Sequence, residues 1–200
     1  MNTEAVKTEI VEKNGAKYLK VTMGGRDFFL EFKFLGGKNV AFLDISGQFV
    51  LIEYAADQLV KKLDEAGVEF DTILNPVSKS NALAHAVAVR WAKLHNTDMT
   101  HTVVARKSSD PSNPVRASYR SVTTPTEQIL SLTPDDAAYI KGKKVLLMDD
   151  VFGGGGTTKA LRALVASADA QMAAHAVVAV EQGASFPEDL FYLFELPTID

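Results

Sequence analysis

Lys144-Val145-Leu146-Leu147-Met148-Asp149-Asp150-Val151-Phe152-Gly153-Gly154-Gly155-Gly156-Thr157-Thr158 joins an apolar run to two acids, a glycine run and a pair of hydroxyls. Residues 144–148 read as a buried strand, 149–156 as a loop and 157–166 as a helix. Consecutive glycines let backbone N–H groups approach an anion closely, and the positive end of the following helix favours negative charge. Thr157 and Thr158 can add hydroxyl donors. Asp149 and Asp150 would repel a phosphate, so they suit sugar hydroxyls or a bound divalent cation. The combination suits a phosphorylated sugar. It is not a P-loop, which ends in Gly-Lys-Ser/Thr, and it lacks the glycine spacing of a dinucleotide fingerprint.

Working outward, the hydrophobic period changes near residue 49. Before it, residues 18–22 and 27–34 are rich in β-formers and flank Met23-Gly24-Gly25-Arg26, a hairpin-like break. Phe28, Leu30, Phe32 and Phe34 alternate with Phe29, Glu31 and Lys33, which predicts one apolar face. The four phenylalanines read as hairpin core, and residues 40–45 as another short strand. After residue 49, Ile52, Ala55, Ala56, Leu59, Val60 and Leu63 fall on one helical stripe. Gly67 sits where a helix C-terminus favours glycine.

Residues 70–74 read as a strand, 75–80 as a turn, and 81–94 as a helix with Ser80 as N-cap. A strand follows at 101–105, then a polar, proline-broken stretch at 107–115. Residues 117–132 read as two strands pivoting at Thr124-Pro125, and Thr133-Pro134-Asp135-Asp136 opens a short helix. Residues 175–180 and 190–194 close the chain as strands. Strands alternating with helices predict an α/β fold, a mainly parallel sheet flanked by helices. An N-terminal β-rich hood (1–47) precedes the core and C-terminal strands (48–200) in a single domain. Ligands on such sheets bind at the carboxyl ends of strands, which selects the loops 75–80, 106–116 and 149–157.

Composition narrows the function classes. Two hundred residues, 46% of them hydrophobic, are ample for one core, and a net charge of −4 argues against nucleic-acid or membrane-surface partners. Residues 101–120 nevertheless carry a local +3 from Arg106, Lys107, Arg116 and Arg120 against Asp110, leaving −7 elsewhere. A small polyanion can dock at such a patch where a large one cannot. The absence of cysteine excludes disulfides, thiolate metal sites and cysteine nucleophiles. No signal peptide is visible and no apolar run could span a bilayer, so the expectation is a cytoplasmic protein. His85, His95, His101 and His175 show no metal-ligand spacing; His85, within an apolar helix, reads as structural, and Trp91 as core.

The run from Met148 to Thr157 resembles the phosphoribosyl pyrophosphate (PRPP) motif of type I phosphoribosyltransferases, closest to the adenine phosphoribosyltransferase-like branch. The similarity extends from about Val40 to the C-terminus. It implies that Asp149 and Asp150 hold the ribose hydroxyls, while Val151, Gly153, Gly154, Gly155, Gly156, Thr157 and Thr158 surround the 5′-phosphate. By the same resemblance, Asn75-Pro76-Val77-Ser78-Lys79-Ser80 is the pyrophosphate loop, with Lys79 as the cation and Ser78 and Ser80 as contacts. Arg106, Lys107 and Tyr119 would border a mobile lid over the active site, and Phe42 would stack on the base. Mg²⁺ is expected through PRPP near Asp149 and Asp150, with no direct protein ligand assigned.

Five departures are visible, one of them Ser80, where relatives often have glycine. The family usually has threonine at Gly154, a glutamate near Val122 and often an arginine at Leu43, while Gly153 replaces an aspartate of the hypoxanthine-guanine enzymes. The implied activity is Mg²⁺-dependent transfer of a purine-type base, adenine foremost, onto PRPP with release of pyrophosphate, by a homodimer. The alternative is a PRPP-sensing module that has lost catalysis.

Overall fold

The computed structural model describes residues 5–121 and 124–200. Four strands open the chain: β1 (Lys7–Lys13), β2 (Ala16–Met23), β3 (Arg26–Leu35) and β4 (Lys38–Ala41), joined antiparallel in sequence order. Leu19, Val21, Met23 and Leu30 are buried, so each of β2 and β3 turns one face inward as its alternation predicts. Phe28 and Phe32 follow that face and are half-buried. Phe34 (71% exposed) and Phe29 (43% exposed) do not belong to the core, which corrects their assignment to it. Strand β1 gave no signal of its own: its burial pattern is almost wholly exposed, so neither face carries an apolar period, and lysines mark both ends.

Helix α1 (Phe49–Glu65) buries all six residues of the predicted stripe, together with Leu51. Leu59 and Leu63 are fully buried, each contributing about 1.5–3 kcal/mol of burial free energy. The helix ends where Gly67, at φ +66°, donates its N–H to the Asp64 carbonyl. Strand β5 (Thr72–Pro76) lies two residues later than predicted and is buried throughout. Helix α2 (Asn81–His95) follows, then β6 (Val103–Lys107). Strands β7 (Val115–Ser121) and β8 (Thr124–Leu132) pair antiparallel on either side of residues 122–123 rather than pivoting at Thr124-Pro125. Helix α3 (Pro134–Ile140) starts as read: Thr133 Oγ1 accepts the Asp136 N–H at 3.2 Å, with Pro134 in the first turn.

Strand β9 (Lys144–Phe152), helix α4 (Gly156–Ser167) and strand β10 (Gln171–Glu181) form a βαβ unit, and the short strands β11 (Leu190–Phe191) and β12 (Phe194–Leu196) both pair with β10. The main sheet runs β11-β10-β9-β5-β6-β8-β7, parallel through β6 and antiparallel beyond it. Along β9, Leu146 and Met148 face the core under α1 and α2, whereas Val145 and Leu147 face the core under α4. Burial on both faces explains why this strand reads as an unbroken apolar run. A final pair, β13 (Thr198–Ile199), crosses to β4 and ties the C-terminus into the hood sheet. Hood residues share one continuous core with α1 and α2.

Candidate active site

The carboxyl ends of β5, β9 and β10 meet beneath β4 and the segment after it. Asp149 and Asp150 belong to β9 itself rather than to a loop, because the strand pairs with β10 as far as Phe152. The glycine loop therefore shrinks to residues 153–155, and α4 begins at Gly156. Gly155 takes φ +73°, a conformation that costs other L-residues about 1–2 kcal/mol, and so turns the chain sharply into the helix. Thr157 sits in the first turn, half-buried, and Thr158 is buried behind it. The loop thus presents backbone N–H groups and a helix N-terminus to the same space.

Asp149 accepts the backbone N–H of Asp150 at 2.9 Å, and Asp150 accepts that of Val151 at 2.9 Å. Burial first, and then the charge of Asp150, push the Asp149 carboxyl well above the usual carboxylate range. Lys79 lies 3.9 Å from Asp150 and answers only part of that charge. Two acids held this close without a full counter-charge make a site that gains by meeting hydroxyl donors or a cation.

Ser80 does not cap α2 with its side chain; its Oγ donates to the Pro76 carbonyl at 3.1 Å, inside the turn, and it lies next to Asp149. That corrects the capping assignment while keeping Ser80 at the site. Asn75, fully buried, donates to the Pro76 carbonyl and to Asn81 Oδ1, which fixes the turn from beneath. Ser78 is exposed, and its peptide bond with Val77 is cis.

On the hood side, Phe42 is half-buried, with Lys33 Nζ 4.1 Å and Lys79 Nζ 5.7 Å from its ring centre. Residues 42–45 take no regular structure, although the Phe42 N–H still donates to the Glu31 carbonyl at 2.9 Å, so the predicted strand ends at Ala41. A cleft of about 230 Å³ is lined by Phe42, Leu43, Lys79, Asp149, Asp150, Val151, all of Gly153–Thr158, and Leu196. Glu181, which the sequence reading missed, lines it too. A larger cleft, about 680 Å³ between α1 and α2, contains none of the three predicted loops.

Arg106 and Lys107 end β6 as exposed side chains and do not line the cleft. In the segment after them, buried Asn113 donates to Ser131 Oγ at 2.9 Å, and Asp110 accepts the Ser112 N–H at 2.9 Å. Tyr119, half-buried on β7, is brought nearer: burial and then the charge of Asp149 push its phenol up. Position 122, where the family carries a glutamate, lies outside the described residues. Glu127, the next acid along, is exposed on β8 and does not line the cleft.

No group of three or more potential metal-binding side chains occurs among the described residues. Two adjacent carboxylates fit a cation that arrives with most of its oxygen ligands already supplied by a phosphate compound. Of the histidines, His85 is exposed on α2, contrary to its structural reading, and His175 is the buried one.

Strand-end acids, a glycine loop feeding a helix, and an apolar hood share one cleft at the carboxyl end of an α/β sheet, where such folds bind their ligands. The chain belongs to the phosphoribosyl transferase domain family, whose pattern its residues 48–200 match. No curated protein matches the sequence. Among solved structures it is similar to adenine phosphoribosyltransferase from Thermoanaerobacter pseudethanolicus, 19% identical, covering 72% of this chain and 80% of that one (TM-score 0.57). The enzyme from Rhodothermus marinus is 20% identical over 72% of this chain and 79% of that one (TM-score 0.58). The Trypanosoma brucei enzyme, in complex with AMP, pyrophosphate and ribose-5-phosphate, is 19% identical over 76% and 67% (TM-score 0.57). These likenesses bear out the fold read from the sequence.

Proposed function

We propose that this chain is a phosphoribosyltransferase that joins a purine-type base, adenine foremost, to PRPP, releasing pyrophosphate and giving a nucleoside monophosphate. The observation that carries the reading is the shared cleft: the acids and glycine loop of β9–α4 and the hood aromatic Phe42 line one space. Sugar phosphate and a flat heterocycle can therefore be held against each other. Complexes of the Trypanosoma brucei relative with AMP, pyrophosphate and ribose-5-phosphate point to the same chemistry.

As pyrophosphate leaves, the anomeric carbon becomes oxocarbenium-like, so positioning and charge stabilisation supply most of the catalysis. Asp149 and Asp150 orient the ribose through its hydroxyls. The N–H groups of residues 153–157 and the Thr157 hydroxyl hold the 5′-phosphate. Lys79 swings from Asp150 toward pyrophosphate, and Phe42 stacks on the base. Arg106 and Lys107 contribute only if their strand end moves over the cleft, and Tyr119 lies beside the acids as a further contact. Asp149 and Asp150 lie where Mg²⁺ would arrive with PRPP, and the chemistry it would supply there is neutralisation of charge on the leaving pyrophosphate. The resemblance adds a homodimer and a cytoplasmic setting, open to sedimentation equilibrium and cell fractionation; no described helix is long and apolar enough to cross a membrane.

Incubated with PRPP, Mg²⁺ and adenine, the protein is expected to release pyrophosphate, and the D149N/D150N variant to release none. Undiminished turnover in that variant would sink the assignment.

A further inference from the structure

Glu181 is the last residue of β10, one position beyond Val180, which pairs with Phe152. Its carboxylate therefore lies over Gly153, at the carboxyl end of the sheet. A methyl group on Gly153 would sit 2.6 Å from Oε2 and 2.9 Å from Oε1, so the carboxylate would have to move from its present place. Glycine at this position is what leaves room for the acid.

Other acids of the protein have cationic partners: Asp150, in the same cleft, has Lys79, and elsewhere Asp189 has Arg162 at 2.6 Å while Glu53 and Asp57 share Arg90. The Glu181 carboxylate has no hydrogen bond or ion pair among the described residues, although the residue is half-buried and burial alone raises its carboxyl above its ordinary value. A partly desolvated acceptor without a donor is costly, and it becomes favourable when a ligand brings the donor. Around it the cleft is apolar on the hood side, through Val40, Leu43 and Leu196, with Phe42 available to stack. A flat heterocycle held there would present an edge to Glu181.

We propose that Glu181 is a specificity-determining residue: it accepts a hydrogen bond from an N–H group of the base and so selects amino-bearing over oxo-bearing heterocycles. The inference rests on the transferase reading for its substrate class. A 6-amino group donates toward such a carboxylate, whereas a 6-oxo group turns a second acceptor toward it. Sites built this way discriminate strongly, because the wrong ligand leaves a buried polar group unpaired. The same geometry gives Gly153 a purpose distinct from phosphate binding.

The test compares adenine with hypoxanthine in wild type, E181Q, E181A and G153A, reading kcat/KM for each base and the KM for PRPP. Equilibrium base binding in the presence of ribose 5-phosphate is measured alongside. Wild type should favour adenine in binding and turnover. In E181Q and E181A the adenine-to-hypoxanthine ratio should fall by about 10- to 100-fold, the effect of one charge-assisted hydrogen bond. The KM for PRPP should stay within about twofold in E181Q. G153A should reproduce the loss of discrimination, since its methyl group displaces the carboxylate while the fold persists.

An unchanged ratio in E181Q and E181A overturns the proposal and leaves the transferase reading intact. A wild-type protein that binds adenine through Glu181 but releases no pyrophosphate refutes the transferase reading and upholds this one. Absence of any base binding to wild type overturns it as well.

Discussion

The two ends of the cleft are built in different ways. The ribose-phosphate end is made by one continuous stretch, Asp149 to Thr158, in which each residue's place follows from its neighbours: strand, acids, turn, helix. The opposite end gathers Phe42 with Leu43, Glu181 and Leu196 from three separate parts of the chain. Chemistry held by local backbone geometry can be read from sequence, whereas chemistry assembled by tertiary packing is found only when the elements are seen together. The first end should accordingly respond to changes of backbone as well as of its acids, and the second to single side chains alone.

The largest effect should come from the acids. D149N/D150N is expected to lower turnover by more than about 10³-fold, since interactions realised in the transition state carry catalysis of this kind. Its Tm should stay level or rise, because removing two acids that repel each other in a buried setting relieves the folded state. Calorimetry alongside pyrophosphate release checks both, and a collapse in Tm would mean that the acids are structural.

His175 gives a reference belonging to neither end. It is 1% exposed with both ring nitrogens unpartnered, and burial, then the charge of Arg162, lower its pKa from 6.5 to about 4. The unfolded chain binds this proton first as pH falls, so the stability tied to neutral His175 is present above pH 6.5 and is lost toward pH 4. Urea unfolding should therefore show about 2 kcal/mol less stability at pH 5 than at pH 7 from this group alone. H175L should flatten that slope while leaving base preference alone.

Gly155→Ala tests the backbone end. Strain at φ +73° should cost about 1–2 kcal/mol in stability and raise the KM for PRPP, with the KM for base little changed. Phe42→Ala tests the other end and should raise the KM for base by about tenfold through lost stacking, with the KM for PRPP steady. Were both variants to shift both constants equally, the division of the cleft into two independently built ends would fail.

These contrasts also account for what the sequence made legible. The stripe on α1, the Thr133 cap and the β9–α4 loop are local patterns, and they stand where their periods and caps put them. The two-residue strand β13 carries no period at all, and it exists because it pairs with β4. Glu181 ends an otherwise apolar strand and looks like an ordinary surface acid until Gly153 is seen beneath it. Ser80 has the residue type of a helix cap, yet the turn made by Asn75 and Pro76 claims its hydroxyl first. Arg106 and Lys107 have the charge that pyrophosphate requires, but their strand leaves them outside the cleft.

The most direct test of the whole account is the stoichiometry of one reaction: PRPP, Mg²⁺ and a panel of bases with the wild-type protein, with pyrophosphate and nucleoside monophosphate quantified together. The account predicts equal amounts of the two products, with adenine ahead of the oxo-bearing purines. PRPP that binds tightly but yields no pyrophosphate with any base would contradict it, and would identify the chain as a sensor of its ligand instead of a catalyst.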